Sequence, residues 1–124
     1  MKLILPILFS LALLAGCAAP AAVYRHISME DAIALMETET DYIVLDVRTR
    51  EEFVAGHIPG AINIPNESIG TEPLPALPDL DQLILVYCRS GNRSKTASAA
   101  LAELGYTQIY EFGGINTWPY EVVE

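Results

Sequence analysis

Two short, almost wholly apolar runs constrain the fold of this chain more than any other feature. They cover residues 42–47 and 83–87, are rich in valine, isoleucine and leucine, and are each followed by polar residues. Continuous apolar runs of this length are typical of strands buried on both faces of a parallel sheet. Because helical stretches alternate with such runs along the chain, the sequence predicts an α/β fold with a central, mostly parallel sheet flanked by helices.

The same patterns predict five strands and three main helices. The three further strands are expected at residues 23–27, 61–64 and 108–112. Ser28 and Thr49 each begin a helix with a capping pattern, and an alanine-rich helix is expected over residues 94–104. Residues 65–82 carry four prolines, so we expect a loop there with at most broken helical turns.

Residues 1–16 are predicted to be a lipoprotein signal peptide. A short positive segment, Met1-Lys2, precedes an apolar run of 13 residues, which is shorter than the ~20 residues that cross a bilayer as a helix. The run ends in Leu14-Ala15-Gly16-Cys17, which resembles the lipobox at which bacterial lipoproteins are cleaved and acylated. An ordinary signal peptide that happens to contain a cysteine is the alternative interpretation.

Residues 17–22 are predicted to be the lipidated Cys17 and a tether of alanine and proline, followed by a domain at residues 23–124. Ala18 stands where lipoproteins of the inner membrane carry aspartate, which favours the outer membrane by analogy. The expected location is therefore periplasmic, with the protein held to the membrane through the lipid on Cys17.

Length and charge limit the possible partners. A chain of 124 residues is long enough for one domain, which we expect to be monomeric. The net charge of −9 argues against nucleic acid and anionic membrane surfaces as partners. Three of the few basic residues, Arg89, Arg93 and Lys95, nevertheless follow Cys88 closely. Chance clustering at a solvated helix end is one explanation, but next to a thiol they favour a small anionic ligand.

Cys88 is predicted to be a reactive thiolate. It directly follows the strand at residues 83–87, at the edge where open α/β sheets bind ligands. The loop Cys88–Arg93 leads into a helix whose free N–H groups and dipole favour an anion. With the basic neighbours, these groups are expected to bring the thiol pKa to roughly 3.5–7.5, against ~8.5 for free cysteine. A buried core cysteine is the alternative, and the polar neighbours argue against it.

The other residues of this loop are predicted to bind an anionic substrate; they are Arg89, Ser90, Gly91, Asn92 and Arg93. Gly91 is expected to adopt a positive φ, so that the backbone N–H groups form a concave nest of donors. An ordinary tight turn would also explain this glycine. Ser94 offers its hydroxyl either to an anion or to the end of the helix.

Five separated motifs together resemble a single-domain rhodanese. They are Leu45–Arg48, Glu51–Phe53, Gly56–Ala61, Cys88–Ser94 and the pair Gly113-Gly114 before Trp118. The resemblance covers residues 23–124 and implies a sulfurtransferase. Cys88 would attack the outer sulfur of a donor such as thiosulfate, and the resulting persulfide would pass its sulfur to cyanide or a thiol. No metal or organic cofactor is implied.

The resemblance also implies supporting residues around the nucleophile. Asp46 and Arg48 are expected to form an ion pair that organises loops near the site rather than to react, and Ser94 is placed with them. His57 is a less favoured candidate for a general base, because a thiolate of low pKa needs none. Trp118 is expected to pack rather than to contact substrate.

Two other functions stay open at this point. The first is a lipid-anchored persulfide carrier or binding module with little turnover of free donor. The second is a cysteine-dependent phosphatase or arsenate reductase, which also uses a cysteine, loop amides and an arginine. Those enzymes have the spacing C-x5-R, whereas Cys88 and Arg93 are spaced C-x4-R, which favours sulfur transfer.

Overall fold

A computed structural model describes residues 23–124 of the protein. The predicted signal peptide, the tether and Cys17 lie outside the described residues. The strands are β1 (Arg25–His26), β2 (Tyr42–Asp46), β3 (Ile62–Asn63), β4 (Leu83–Cys88) and β5 (Gln108–Gly114). The helices are α1 (Met29–Thr38), α2 (Arg50–Ala55) and α3 (Asn92–Glu103), with short 3-10 turns at Asn66–Ser68 and Ile115–Thr117. Within residues 23–124, no helix has the length and apolarity needed to cross a membrane.

The five strands form one sheet in the order β1-β5-β4-β2-β3, and every neighbouring pair is parallel. The predicted α/β fold with a five-stranded parallel sheet is therefore confirmed. From β2 the chain continues to one side of the sheet, to β3, and from β4 it continues to the other side, to β5. This reversal opens a crevice at the carboxyl ends of β2 and β4, which is where sheets of this kind bind ligands.

The central strand β4 places its side chains alternately on the two faces of the sheet. Ile84, Val86 and Cys88 belong to the core cluster that includes buried residues of α3. Leu85 and Tyr87 belong to the cluster on the opposite face, which includes residues of α1 and α2. Cys88 therefore lies on the α3 face of the sheet.

Element boundaries differ from the prediction by two or more residues at four places, one of which is the end of β5, at Gly114 instead of Phe112. Helix α3 begins at Asn92, two residues before the predicted start, because Gly91 with φ +113° turns the chain directly into the helix. Strands β1 and β3 have two residues each instead of the predicted five and four. Both are edge strands, which have hydrogen-bonding partners on one side only. The predicted caps at Ser28 and Thr49 are confirmed.

Replacing Ser98 with alanine is expected to raise the free energy of unfolding by about 1 kcal/mol. Ser98 lies on α3 with no solvent exposure. Among the described residues its hydroxyl is the buried side-chain oxygen without a hydrogen-bond partner. Alanine removes this unsatisfied group and has a higher helix propensity. Urea unfolding of the two proteins measures the difference, and a less stable Ser98→Ala would contradict the expectation.

Candidate active site

The sulfur of Cys88 lies buried at the carboxyl end of β4, with a residue exposure of 1%. The backbone N–H of Gly91 donates to Sγ at 3.0 Å. The Ser94 hydroxyl lies 3.5 Å from the same sulfur. The strand end, the loop and the first turn of α3 therefore converge on one atom, in the arrangement that the sequence predicts.

These contacts favour the thiolate form of Cys88. Burial of the sulfur is the largest single influence, and it opposes ionisation. The nearby hydroxyl of Ser94 and the backbone N–H groups of Ser94, Gly91 and Ser90 favour the thiolate and together outweigh burial. The pKa of the Cys88 thiol is accordingly lowered from its ordinary value.

The loop backbone has the predicted positive φ at Gly91, and three of the loop side chains are exposed. Gly91 adopts the expected positive φ, +113°. Arg89, Ser90 and Asn92 are exposed at the mouth of the loop, where an arriving anion would meet them. That they and the Gly91 amide bind substrate stays a prediction.

Gly114 lies directly against the backbone of the Cys88–Arg93 loop. It pairs with Cys88 in the register between β4 and β5. A Cβ built on Gly114 would overlap the carbonyl group of Arg89 and would lie 2.6 Å from the backbone nitrogen of Ser90. The Arg89 carbonyl also accepts a hydrogen bond from the backbone N–H of Asn116, at 3.3 Å. The loop therefore rests directly on the backbone of β5.

Arg93, the last residue of the loop, is tied to α2 rather than free. Its two terminal nitrogens donate to the two carboxylate oxygens of Glu52 at 2.7 and 3.0 Å. The same carboxylate accepts hydrogen bonds from the backbone and hydroxyl of Thr49 in the capping box. Sequence reasoning assigned Glu52 only to the cap and missed this ion pair. A substrate-binding role for Arg93 stays a prediction.

Replacing Glu52 with glutamine is expected to lower the free energy of unfolding near neutral pH by about 1 kcal/mol at most, since solvent screens the pair. Hydrogen bonds from Arg93, opposed by burial and helped by Thr49, lower the pKa of Glu52 from 4.5 to about 2. Such a carboxyl stabilises the fold above its unfolded-state pKa and loses this effect as the pH falls through its folded-state pKa.

The difference between the wild type and Glu52→Gln should therefore be constant above pH ~5 and shrink between pH ~4.5 and ~2. Urea unfolding over this pH range is the measurement. Glu51→Gln, at the neighbouring exposed position, provides the control. A Glu52→Gln difference that is as large at pH ~2.5 as at pH 7 would rule out this explanation.

Asp46 and Arg48 form a buried ion pair, as expected. Arg48 Nη2 lies 2.7 Å from Asp46 Oδ2 and donates to the carbonyl oxygen of Gly56 at 2.7 Å. Tyr87 donates to the same Asp46 oxygen at 2.7 Å and accepts from the N–H of Ile58. Burial, the largest cause, and the bond to Asp46 raise the pKa of Tyr87, so its hydroxyl stays protonated.

This pair lies on the opposite face of the sheet from Cys88, because Asp46 pairs with Tyr87 in the register. Within residues 23–124, none of the hydrogen bonds of Asp46 or Arg48 reaches the Cys88–Arg93 loop. Their link to the site runs through the end of α2, the helix that carries the partner of Arg93. A supporting role for the pair stays a prediction.

Glu111 on β5 is a site residue that sequence reasoning missed. It has no solvent exposure and is in register with Val86, so it lies on the Cys88 face of the sheet. Its carboxylate accepts hydrogen bonds from the Ser94 hydroxyl at 2.6 Å, from His26 Nδ1 at 2.6 Å and from the Gly113 N–H at 2.8 Å. An acidic residue within an otherwise apolar buried strand is the signal that could have revealed it.

His57 and Trp118 have structural partners. The ring of His57 stacks on Phe53 with centroids 3.7 Å apart, and its Nδ1 hydrogen-bonds to the Phe53 carbonyl oxygen. Trp118 packs against the core cluster that contains Leu85 and Tyr87, and its indole N–H donates to the Glu121 carbonyl. Residues 23–124 contain no group of three or more His, Cys, Asp or Glu side chains placed to hold a metal ion.

Comparison with known proteins agrees with this geometry. A family model described as a rhodanese-like domain matches residues 28–120. Thiosulfate sulfurtransferase PspE of Escherichia coli K12 is 38% identical over 72 residues, 58% of this chain and 69% of that protein. Thiosulfate sulfurtransferase GlpE of Pseudomonas entomophila L48 is 36% identical over 96 residues, 77% of this chain and 84% of that protein.

The solved structures include a similar protein, described as a rhodanese with anions from Escherichia coli. It superposes with a TM-score of 0.61 at 34% identity, and the match covers 67% of this chain and 98% of that chain. The family model spans most of the chain, and the named relatives are sulfurtransferases over most of their own length. The chain therefore belongs to the rhodanese family and is an enzyme of the sulfurtransferase class.

Proposed function

We propose that this protein moves sulfane sulfur from a small anionic donor such as thiosulfate to cyanide or a thiol, through a persulfide on Cys88. The proposal rests mainly on the environment of Cys88. Its sulfur accepts a hydrogen bond from the loop backbone, and the pKa of its thiol is lowered from the ordinary value. Two relatives are named thiosulfate sulfurtransferases, and a similar solved rhodanese is described with anions. Both findings support an anionic sulfur donor here.

The reaction proceeds in two displacements. The Cys88 thiolate attacks the outer sulfur of thiosulfate, forming a new S–S bond, while the S–S bond of the donor breaks and its electron pair leaves with sulfite. The terminal sulfur of the resulting persulfide is then attacked by cyanide. The S–S bond to Cys88 breaks, thiocyanate leaves and the thiolate is regenerated. Neither step needs a net proton transfer when donor and acceptor are both anions.

The loop supplies what both displacements require. Its N–H groups converge on the sulfur and are placed to stabilise negative charge there without reorganisation. Arg89 at the exposed mouth adds positive potential for the arriving dianion. A phosphatase would need Arg93 to bind the oxyanion, but both terminal nitrogens of Arg93 are bound to Glu52. This pairing and the C-x4-R spacing favour sulfur over phosphate.

Steady-state kinetics of the full chain with thiosulfate and cyanide test the proposal. A persulfide intermediate requires a ping-pong pattern, with parallel lines in double-reciprocal plots at several cyanide concentrations. Persulfide formation without appreciable turnover would instead support the carrier function. Failure to form thiocyanate and failure to form the persulfide would together contradict both forms of the proposal.

We further propose that the protein is a periplasmic lipoprotein anchored through Cys17, with the outer membrane favoured. Val23 lies beside Gln108, at the amino end of β5, whereas Cys88 pairs with Gly114 at its carboxyl end. These ends are about 20 Å apart, and the six residue steps from Cys17 to Val23 span at most ~22 Å. The tether thus joins the domain at the end of β5 that lies away from the loop. Fatty-acid labelling should mark the wild type and spare Cys17→Ser; an unlabelled wild type would contradict anchoring.

A further inference from the structure

A chain of hydrogen bonds links the surface to the nucleophile on the α3 face of the sheet. His26 Nδ1 lies 2.6 Å from Glu111 Oε1, and Glu111 Oε2 lies 2.6 Å from the Ser94 hydroxyl. The Ser94 hydroxyl in turn lies 3.5 Å from Cys88 Sγ. The His26 side chain is 58% exposed, whereas that of Glu111 is fully buried. The sulfurtransfer steps described above make no use of Glu111 or His26.

Glu111 is held as a carboxylate. Burial, the largest influence, would raise its pKa, but hydrogen bonds from Ser94, His26 and the Gly113 N–H, with the nearby positive charge of Lys95, outweigh it and lower the pKa. A carboxylate only accepts hydrogen bonds, so His26 Nδ1 and the Ser94 hydroxyl both donate to it. Glu111 is therefore a buried negative charge one hydroxyl group away from the Cys88 sulfur.

Ser94 has only one hydrogen to donate, although several acceptors surround it. The Glu111 oxygen at 2.6 Å is in the range of a charge-assisted bond. The competing acceptors are farther away, with Gly91 O at 3.1 Å, Gly113 O at 3.4 Å and Cys88 Sγ at 3.5 Å. With its hydrogen on Glu111, Ser94 presents a lone pair to the sulfur. A Cys88 thiol can donate to that lone pair. A Cys88 thiolate can only accept, so it is stabilised when the Ser94 hydrogen points toward the sulfur.

We propose that Glu111, itself held by His26, is a positioning residue that limits the ionisation of Cys88 by keeping the hydrogen of Ser94 on its own carboxylate. The inference rests on Cys88 as the nucleophile of the proposed function. Competition between Glu111 and the Cys88 thiolate for the Ser94 hydrogen affects both displacements. A less acidic thiol is more nucleophilic as a thiolate, and it leaves more slowly when the persulfide is discharged. Glu111 would thus set the balance between loading and unloading of sulfur.

Glu111→Gln is the primary test, because glutamine keeps the shape and hydrogen-bonding capacity of the site and removes the charge. Its oxygen can accept from Ser94 and Gly113, and its amide can donate to a neutral His26 ring. A neutral amide is a weaker acceptor, so the Ser94 hydrogen is released toward the thiolate. The rate of Cys88 alkylation by iodoacetamide should therefore reach half its maximum at a lower pH. One pH unit below the wild-type midpoint, the rate should be about 3-fold or more above the wild type.

His26→Ala should shift the alkylation profile in the opposite direction. Without the hydrogen bond from His26, the Glu111 carboxylate is a stronger acceptor, so it binds the hydrogen of the Ser94 hydroxyl more tightly. Alkylation below the wild-type midpoint should then be slower than in the wild type by about 2-fold. His26 is mostly exposed, so this variant decides the question even if Glu111→Gln does not fold. Arg93, whose positive charge interacts with Cys88, is unchanged in both variants.

Ser94→Ala separates the proposed route from a direct effect of charge. If Glu111 acts through Ser94, Glu111→Gln should have little effect on alkylation in the Ser94→Ala background. Iodoacetamide is uncharged, so its rate reports the thiolate and not the attraction of an anionic reagent. Mass spectrometry of the Cys88 peptide excludes reaction at Cys17. No sulfur donor is involved, so failure here is distinguishable from failure of sulfur transfer.

We expect the pH midpoint of Cys88 alkylation to shift in opposite directions in Glu111→Gln and His26→Ala. In the Ser94→Ala background, the effect of Glu111→Gln should disappear. Shifts in the same direction, no shift in a folded variant, or a full Glu111→Gln effect without Ser94 would each overturn the proposal.

Discussion

Replacement of Cys88 by serine is expected to lower kcat/KM for sulfur transfer by on the order of 10⁴-fold or more. The hydroxyl is nearly the size of the thiol, so the hydrogen bond from the Gly91 N–H and the surrounding core should survive. A serine hydroxyl has a far higher pKa than a thiol, and the loop donors that favour a thiolate do not ionise it. Thiocyanate formation from thiosulfate and cyanide, followed by absorbance, measures the loss.

Cys17→Ser is the matched control, since it removes the other cysteine of the chain and leaves the domain unchanged. Its kcat/KM in solution should equal that of the wild type. Thermal unfolding should show that Cys88→Ser keeps its fold. Activity of a folded Cys88→Ser within tenfold of the wild type would show that another group carries the sulfur.

Gly114→Ala should have the second largest effect, through the backbone rather than through any reacting group. The added methyl group would overlap the Arg89 carbonyl, which is part of the loop that encloses Cys88. The loop must move by an ångström or more to accommodate it, and such a displacement of catalytic groups costs about 10²-fold in kcat/KM. Overpacking at this position should also lower the free energy of unfolding by about 1–3 kcal/mol.

Gly70→Ala is the control for this variant. Gly70 is exposed, does not have a positive φ, and has no atom within 4 Å of the position that a Cβ would take. Its activity and stability should stay close to those of the wild type. Full activity of Gly114→Ala would mean that the loop does not need to rest on β5 in the conformation described above.

Local patterns were sufficient to predict much of the fold. The apolar run at residues 83–87 predicts β4, and the serine and threonine caps of α1 and α2 are where the sequence places them. The end of β4 and the glycine of the loop also predict the placement of Cys88 and the positive φ of Gly91. These features depend on residues close together in the chain, so the sequence carries them directly.

Contacts between distant residues could not be predicted in the same way. Arg93 and Glu52 are 41 positions apart and meet only because α2 and the loop lie at the same edge of the sheet. Glu111 and Ser94 are 17 positions apart and meet because the first turn of α3 packs against β5. The close approach of Gly114 to Arg89 follows from the pairing of β5 with β4. Strand order and register determine these contacts, and neither is visible in local periodicity.

The face on which a residue lies is a further example. Asp46 is the last residue of β2, as Cys88 is of β4, and the resemblance to rhodaneses implied that Asp46 lies near the site. The register pairs Asp46 with Tyr87 and not with Cys88, and side chains one position apart lie on opposite faces of a sheet. Asp46 and Arg48 therefore hold the end of α2 from the other side.

In the proposed function, Cys88 carries sulfur as a persulfide. Mass spectrometry of the intact protein after incubation with thiosulfate, followed by peptide mapping, tests it most directly. We expect the mass of one added sulfur atom on the Cys88 peptide, lost again on addition of cyanide and absent from Cys88→Ser. An unmodified Cys88 peptide after thiosulfate treatment, or an added sulfur on another residue, would contradict the account.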